Sequence, residues 1–279
     1  MSSLAYNSVD EDLQKFCLKS HERHLNKMFK NRAQINFSNA AVNYANVANV
    51  QKKAADDLFK LIEYSPSDKN KLCVDLGSGP LVNTPRLKNR YGSVLAMDLS
   101  LNMLKNSNLA ALRVCADMDT FPIQAASVDV IYSNFAVQWS TNLELLLQSL
   151  FKALKHGGQA YISTVVEGSL SEIKTAFAAV DSHNHVNTFD TVTNINHLVQ
   201  MAGFTISQST TKVYTDCYSS PLNAIRSIKS IGATTKSNDN NRLGLLTKTA
   251  LKKVCMAYPL ANKQACVSYH VVLLSLIKA

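Results

Sequence analysis

The stretch Leu72-Cys73-Val74-Asp75-Leu76-Gly77-Ser78-Gly79-Pro80 decides the fold. A short apolar run enters a glycine turn and a helical stretch follows, which is how a buried strand feeds a helix. Toward the C-terminus the unit repeats. Ser93 to Asp98 reads as a second strand, Leu101 to Asn108 as a helix and Leu112 to Cys115 as a third strand. Val128 to Ser133 is a fourth strand, Asn142 to Lys155 a helix closed by Gly157-Gly158, and Gln159 to Val165 a fifth strand. Such alternation implies a parallel sheet with right-handed crossovers. Beyond Gly168 the pattern predicts helices over 169–181 and 190–202, a strand over 204–215, helices over 221–231 and 245–257, and a last strand from Val267 to Ile277. Upstream, a helix over 8–30 opens on a Ser8/Glu11 capping box, with Leu13, Phe16, Cys17, Leu25, Met28 and Phe29 mostly on one face. A second helical region over 38–64 ends near Ser65-Pro66, where proline disfavours continuation.

Composition bounds the function. A chain of 279 residues that is 46% hydrophobic forms a core and is neither disordered nor collagen-like. No apolar run approaches the ~20 residues of a membrane span, and the polar, acidic start from Met1 to Gln14 lacks the layout of a signal peptide. A soluble cytoplasmic protein is expected. Cys17, Cys73, Cys115, Cys217, Cys255 and Cys266 are far apart, with no metal-ligand spacing, and read as reduced, without zinc or disulfides. The net charge of +9 is concentrated: residues 201–279 carry ten Lys+Arg against only Asp216 and Asp239. Such a region attracts phosphate backbones, anionic lipids or an acidic protein, and its lysines suit diffuse attraction better than base readout.

Three acids mark a ligand site on successive strand ends. Asp75-x-Gly77-x-Gly79 follows the first strand, and its glycines let backbone amides approach a ligand. Val82 stands where a dinucleotide fingerprint needs a third glycine, which disfavours pyrophosphate. Asp98, ending the second strand, is placed to accept both hydroxyls of a ribose. Asp117, followed by Met118, is placed to read an adenine edge. Together they favour a nucleoside ligand over a coincidence of turn residues.

These motifs, with Asp98-Leu99-Ser100 and with Phe121-Pro122 after Asp117, resemble the class I S-adenosylmethionine-dependent methyltransferases. The resemblance implies an α/β, Rossmann-like sheet with helices on both faces. It also implies that Gly77, Ser78 and Gly79 pass the methionine part, that Asp98 holds the ribose, and that Met103 flanks the adenine. Leu81 stands where many members have glycine. Further motifs are Phe37-x-x-Ala40-Ala41-x-x-Tyr44, Ala48-x-x-Gln51, Ser133-Asn134-Phe135-Ala136-Val137-Gln138-Trp139, Gly168-Ser169-Leu170-x-Glu172, His185-Val186-Asn187, Arg226-Ser227-x-Lys229-x-x-Gly232-Ala233-Thr234 and the ending Tyr269-His270. From about Asn31 onward the set is similar to the malonyl-acyl-carrier-protein O-methyltransferases of biotin biosynthesis. Thr188 departs from it, standing where an arginine is expected.

That resemblance implies a chain organised as an extension over 1–30 and a methyltransferase domain over 31–279, with lid helices over 31–66 and a helical insertion over 216–262 before the last strand. The implied reaction is methylation of the free carboxylate of a malonyl thioester, with S-adenosylmethionine as cosubstrate and no metal. A carboxylate is ionised at pH 7 and needs no general base, in keeping with the lack of a Ser/His/Asp or Cys/His constellation. The expected partner is an acyl carrier protein carrying malonyl, or malonyl-coenzyme A, with no nucleic acid and no membrane. Arg226 is expected to grip the malonyl carboxylate, Tyr44 to donate to it, Gln138 and Trp139 to wall the pocket and His185 to touch substrate. Gln51, Asp75, Leu99 and Asn134 join the cosubstrate set. Two other readings stand beside this one: a class I methyltransferase acting on another small acid or on RNA, and a non-catalytic nucleoside-binding interaction protein.

Overall fold

A computed structural model describes residues 3–63, 65–109, 111–233 and 247–279. Thr234, Lys236 and Arg242, singled out in the motif and the basic region, lie outside the described residues, as do the side chains of the Ser8/Glu11 box.

The strands β1 (Leu72–Leu76), β2 (Ser93–Asp98), β3 (Leu112–Cys115), β4 (Val128–Asn134), β5 (Leu154–Val165), β6 (Thr205–Tyr218), β7 (Leu260–Ala261) and β8 (Gln264–Ile277) form one sheet. Its order is β3-β2-β1-β4-β5-β8-β6, with β7 pairing β8. The first five strands are parallel, Cys73 lying beside Val94 on one side and Val130 on the other. β8 enters antiparallel between β5 and β6. β1 thus sits centrally with ligand-facing turns at its carboxyl end, where the strand order reverses from β2 to β4.

Two apolar clusters coat the faces of this sheet. α5 (Leu143–Ala153) and α7 (Val192–Met201) bury Leu146, Leu147, Leu150, Ile195 and Val199 against Val74, Ile131 and Ile162. On the opposite face α2 (Asn49–Lys60), α3 (Thr84–Arg90), α6 (Ser171–Ala178), α8 (Pro221–Ser230) and α9 (Lys248–Ala257) bring Leu58, Leu87, Ile173, Ala224 and Val254 onto Cys73, Val130 and Val271. β8 serves both: Val271 and Leu273 face one cluster, Val272 and Leu274 the other, as period-two alternation requires. α4 (Leu101–Lys105) is short and is capped by Ser100, whose hydroxyl accepts from Met103 N–H.

Three expectations change. α1 is a single helix, Ser3–Val47, crossing residues 30 and 31 without a break. The interruption comes instead at Ala48 (φ −83°, ψ 55°), where the chain turns into α2. No proline or glycine marks that break, so sequence pattern does not reveal it. β5 starts at Leu154, so Gly157-Gly158 lies inside a strand and does not close α5. Cys217 and Cys266 form a disulfide, with Cα atoms 4.0 Å apart. They are 49 residues apart in sequence and are paired only by the β6–β8 register. Among the described residues no helix is long and apolar enough to cross a membrane.

Candidate active site

The carboxyl ends of β1, β2 and β4 open into a narrow cavity of about 70 Å³, bordered by Gly77, Gly79, Asp98, Leu99, Met103, Asp117, Met118 and Asn134. Gly77 (φ +69°) must be glycine, because a Cβ there would stand 2.2 Å from that of Ala136. This close approach seats the β1 turn against the residue after β4. Gly79 N–H and Ser100 N–H each donate to one oxygen of Asp98, at 2.9 and 2.8 Å. Each oxygen keeps a lone pair for a ligand hydroxyl. Burial pushes the Asp98 carboxyl upward, against the pull of those two amides. A side pocket adjoins, bordered by Gln51, Ser78, Gly79, Asn83 and Asn134. In it the buried Ser78 hydroxyl has no hydrogen-bond partner among the described residues.

α1 lies across this cavity and is tied down along its length. Lys30 Nζ pairs with Asp117 Oδ1 at 2.7 Å and Asp119 Oδ2 at 2.9 Å. Gln34 donates to Leu99 O, the Ser38 and Ser100 hydroxyls meet at 2.8 Å, and Asn106 donates to Ala41 O. Burial alone would raise Asp119, but the hydroxyls of Ser140 and Thr141, the Thr141 amide and Lys30 together hold it below the usual carboxylate range. Lys30 escaped the sequence reading because it ends the segment taken for an extension. Its partners lie 87 and 89 residues away, and no local pattern records them.

A second, larger cavity of about 240 Å³ lies beside the first. Phe37, Tyr44, Phe135 and Trp139 border both. Trp139 is held edge-on to Phe37, with ring centroids 5.1 Å apart, and is stacked near Phe29 at 6.1 Å. The remaining wall comes from β5, α6, the 185–189 loop, α8 and β8, including Ile173, Phe177, Ile225, Ile228 and Tyr269. Among the described residues no Lys, Arg, Asp or Glu lines it. His185 stacks on Phe177 at 4.0 Å and meets Asp181 at 2.7 Å. The histidine bond draws the Asp181 carboxyl down to about 2.

Comparison with known proteins gives this geometry a family. The family described as a methyltransferase domain matches residues 74–162. The chain is 34% identical over 238 residues to the biotin biosynthesis bifunctional protein BioHC of Cellvibrio japonicus, covering 82% of this chain but 46% of that longer protein. It is 31% identical over 238 residues to the malonyl-[acyl-carrier protein] O-methyltransferase of Salmonella typhimurium, covering 84% of this chain and 92% of that one. The chain belongs to the malonyl-[acyl-carrier protein] O-methyltransferase family. As a member it is an S-adenosylmethionine-dependent methyltransferase. Solved structures agree on the fold: YcgJ of Bacillus subtilis (TM-score 0.56, 10% identity, 81% of this chain and 98% of that one) and the geranyl diphosphate C-methyltransferase of Streptomyces coelicolor (TM-score 0.50, 12% identity, 82% and 79%).

Within this methyltransferase the residues singled out from sequence separate into groups. Gly77, Gly79, Asp98, Leu99, Met103, Asp117, Met118 and Asn134 come together at the strand-edge cavity, and Ser78 and Gln51 at its side pocket. Tyr44, Gln51, Gln138, Trp139 and His185 line the larger cavity. The amide of Gln138 is committed to Phe135 O and the Thr164 hydroxyl, so it shapes the wall. Two residues stand elsewhere. Asp75 borders neither cavity. It is buried beneath the glycine turn, accepts from the Thr84 hydroxyl at 2.6 Å and so anchors the start of α3. Burial, helped by nearby Asp98, pushes its carboxyl up to about 7. Arg226 is exposed on the side of α8 facing away from the larger cavity, because the Ile225 and Ile228 face of that helix is the one buried. Leu81 takes up the left-handed conformation (φ +59°) that favours glycine, and its side chain is buried among Ala96 and Leu104. Phe37, Phe135, Phe177 and Tyr269 complete the walls. Phe37, Phe135 and Tyr269 sit inside the quoted motifs and Phe177 lies between two of them, but apolar type alone does not separate wall from core.

Proposed function

We propose that this enzyme methylates the free carboxylate of a malonyl thioester carried on an acyl carrier protein, forming the methyl ester used in biotin synthesis. The observation that carries the reading is the larger cavity, whose described lining holds no lysine, arginine or carboxylate and which adjoins the strand-edge cavity along Phe37, Tyr44, Phe135 and Trp139. Bound S-adenosylmethionine supplies a methyl electrophile: an O–CH₃ bond forms as the S–CH₃ bond breaks, its electron pair stays on sulfur, and a cation and an anion are neutralised together. The chain's donor set fits that molecule. Asp98 keeps lone pairs for the ribose, and Asp117 and Met118 face the place of the base, with Met103 and Leu99 beside it. The Ser78 hydroxyl, which has no hydrogen-bond partner among the described residues, and Gln51 border one side pocket, which supports assigning them to the amino-acid end.

The larger cavity orients the acyl group and excludes water. With no lysine or arginine in its described lining, the sulfonium is the cation that this reading sets against the malonyl carboxylate, alongside His185, whose ring is bonded to Asp181. An acetyl group offers no such anion. Attraction between fixed opposite charges is stronger in a dry, apolar surround than in water. No side chain has to remove a proton. Tyr44 borders both cavities, and its phenol, raised by burial and by Asp98, stays a hydrogen-bond donor. The exposed Lys248, Lys252 and Lys253 on α9 suit encounter with an acidic carrier.

The test is direct. Incubation of the chain with S-adenosylmethionine and malonyl-carrier protein yields malonyl methyl ester by mass spectrometry, and acetyl-carrier protein yields none. S-adenosylmethionine binding without ester from any malonyl thioester overturns the substrate assignment.

A further inference from the structure

Arg226 and Lys229 belong to a specific motif, yet the reaction as derived does not use them. They line a groove of about 600 Å³ between α8 and α1, on the far side of the helix pair that walls the larger cavity. The opposite wall is a ladder of amides, Asn36, Asn39, Asn43 and Asn46. At about 100° per residue these four fall within roughly 80° of one another, and at about 1.5 Å per residue they span roughly 15 Å of α1. Asparagine is a poor helix former, so Asn39, Asn43 and Asn46 on one helix face carry a propensity cost that no side-chain hydrogen bond among the described residues offsets. Asn39, Asn43 and Asn46 are exposed and make no side-chain hydrogen bond among the described residues. Neither Arg226 nor Lys229 has an ion-pair partner among them, and no carboxylate lines the groove.

A groove lined by the free amides of Asn39, Asn43 and Asn46 and by two cations without an ion-pair partner among the described residues is complementary to an extended chain that carries amides and a phosphate. The thioester arm of an acyl carrier is such a chain, with two amides between its sulfur and its phosphodiester. We infer that the α1–α8 groove holds this arm, with its phosphodiester on Arg226 and Lys229 and its amides on Asn39, Asn43 and Asn46. The groove extends to Val47, and one turn further on Gln51 lines the larger cavity, so the acyl end passes inward at the Ala48 interruption. The inference rests on the malonyl-thioester reading and adds the subsite that recognises the part of the substrate remote from the chemistry.

Three truncated substrates test it: malonyl-phosphopantetheine, malonyl-pantetheine and malonyl-N-acetylcysteamine. Arg226→Gln with Lys229→Gln is expected to raise KM at least tenfold for the first and leave the other two unchanged. Asn39→Ala with Asn43→Ala is expected to raise KM several-fold for the first two and leave the cysteamine thioester, whose one amide is the one nearest sulfur and falls beside Asn46, unchanged. S-adenosylmethionine affinity, by calorimetry, stays constant in both variants and reports an intact fold. Equal effects on all three substrates, or none on any, overturn the groove assignment while leaving the reaction in place. Failure of the unmutated enzyme to methylate any of the three overturns the malonyl reading itself. If Arg226→Gln alone abolishes turnover on the cysteamine thioester, Arg226 reads the carboxylate and the groove inference falls.

Discussion

The two cavities are built by different means. The strand-edge cavity is floored by turns, with glycine backbone, a carboxylate fixed by two amides and residues just beyond a strand, and α1 lies across it. The larger cavity is made of side chains from helices, loops and the strands β5 and β8, drawn from positions 37 to 269, mostly apolar and with no lysine, arginine or carboxylate among the described residues. Topology fixes the first, because every parallel strand must deliver its carboxyl end to the same edge. Tertiary packing fixes the second, because nothing in a local stretch says which face of α1 or α8 will be covered.

Four measurements probe that difference. Asp75→Asn has the largest expected effect. The folded carboxyl titrates at about 7 and an unfolded one near 4. Between those values the folded state holds a proton that the unfolded state releases, so stability is full at low pH and falls as pH rises through about 7. The amide keeps an acceptor for Thr84 and removes this slope, gaining up to ~4 kcal/mol at pH 8. Urea melts across the window check this. A slope unchanged in the variant means that the turn's support does not depend on this carboxyl.

Asp98→Ala comes next. Loss of a charged acceptor costs ~1.5–3 kcal/mol, so S-adenosylmethionine binding weakens at least tenfold in calorimetry, with circular dichroism unchanged. Unaltered affinity removes the nucleoside site from the strand edge. Leu81→Gly sets two effects against each other. It relieves ~1–2 kcal/mol of left-handed strain but loses a buried side chain worth ~2–5 kcal/mol, so the protein loses about 2 kcal/mol in thermal or urea unfolding. A gain in stability would show that this turn is strained without compensation. His185→Ala has the smallest effect. It loses the stack on Phe177, worth ~0.5–1.5 kcal/mol, and raises KM for the thioester roughly two- to tenfold while cosubstrate affinity holds. An equal change in both constants would mean that the cavities are not separable.

The same contrast explains what was legible beforehand. The strand-edge acids and glycines could be read because spacing along strand and turn is local. Asp75 was still misplaced: its position at a strand end is indistinguishable in sequence from a lining position, and only its bond to Thr84 shows that it points under the turn. Arg226 failed for a related reason. A motif locates a helix, but rotation about the helix axis decides whether its arginine or its isoleucines enter a cavity. Lys30 and the Cys217–Cys266 pair depend on contacts across 87 and 49 residues, which no local period encodes.

The lining of the larger cavity, which holds no lysine, arginine or carboxylate among the described residues, also bears on turnover. On the proposed reaction, a malonyl carboxylate would give up its hydration on entering and recover the loss only with the sulfonium nearby. The methyl ester has no charge to hydrate and suits the same wall after the transfer. A surface that accepts an anion only in the company of a cation retains the neutral product more readily than it admits fresh substrate. On the proposed reaction, product departure is then expected to limit turnover, and added malonyl methyl ester is expected to inhibit in steady-state assays.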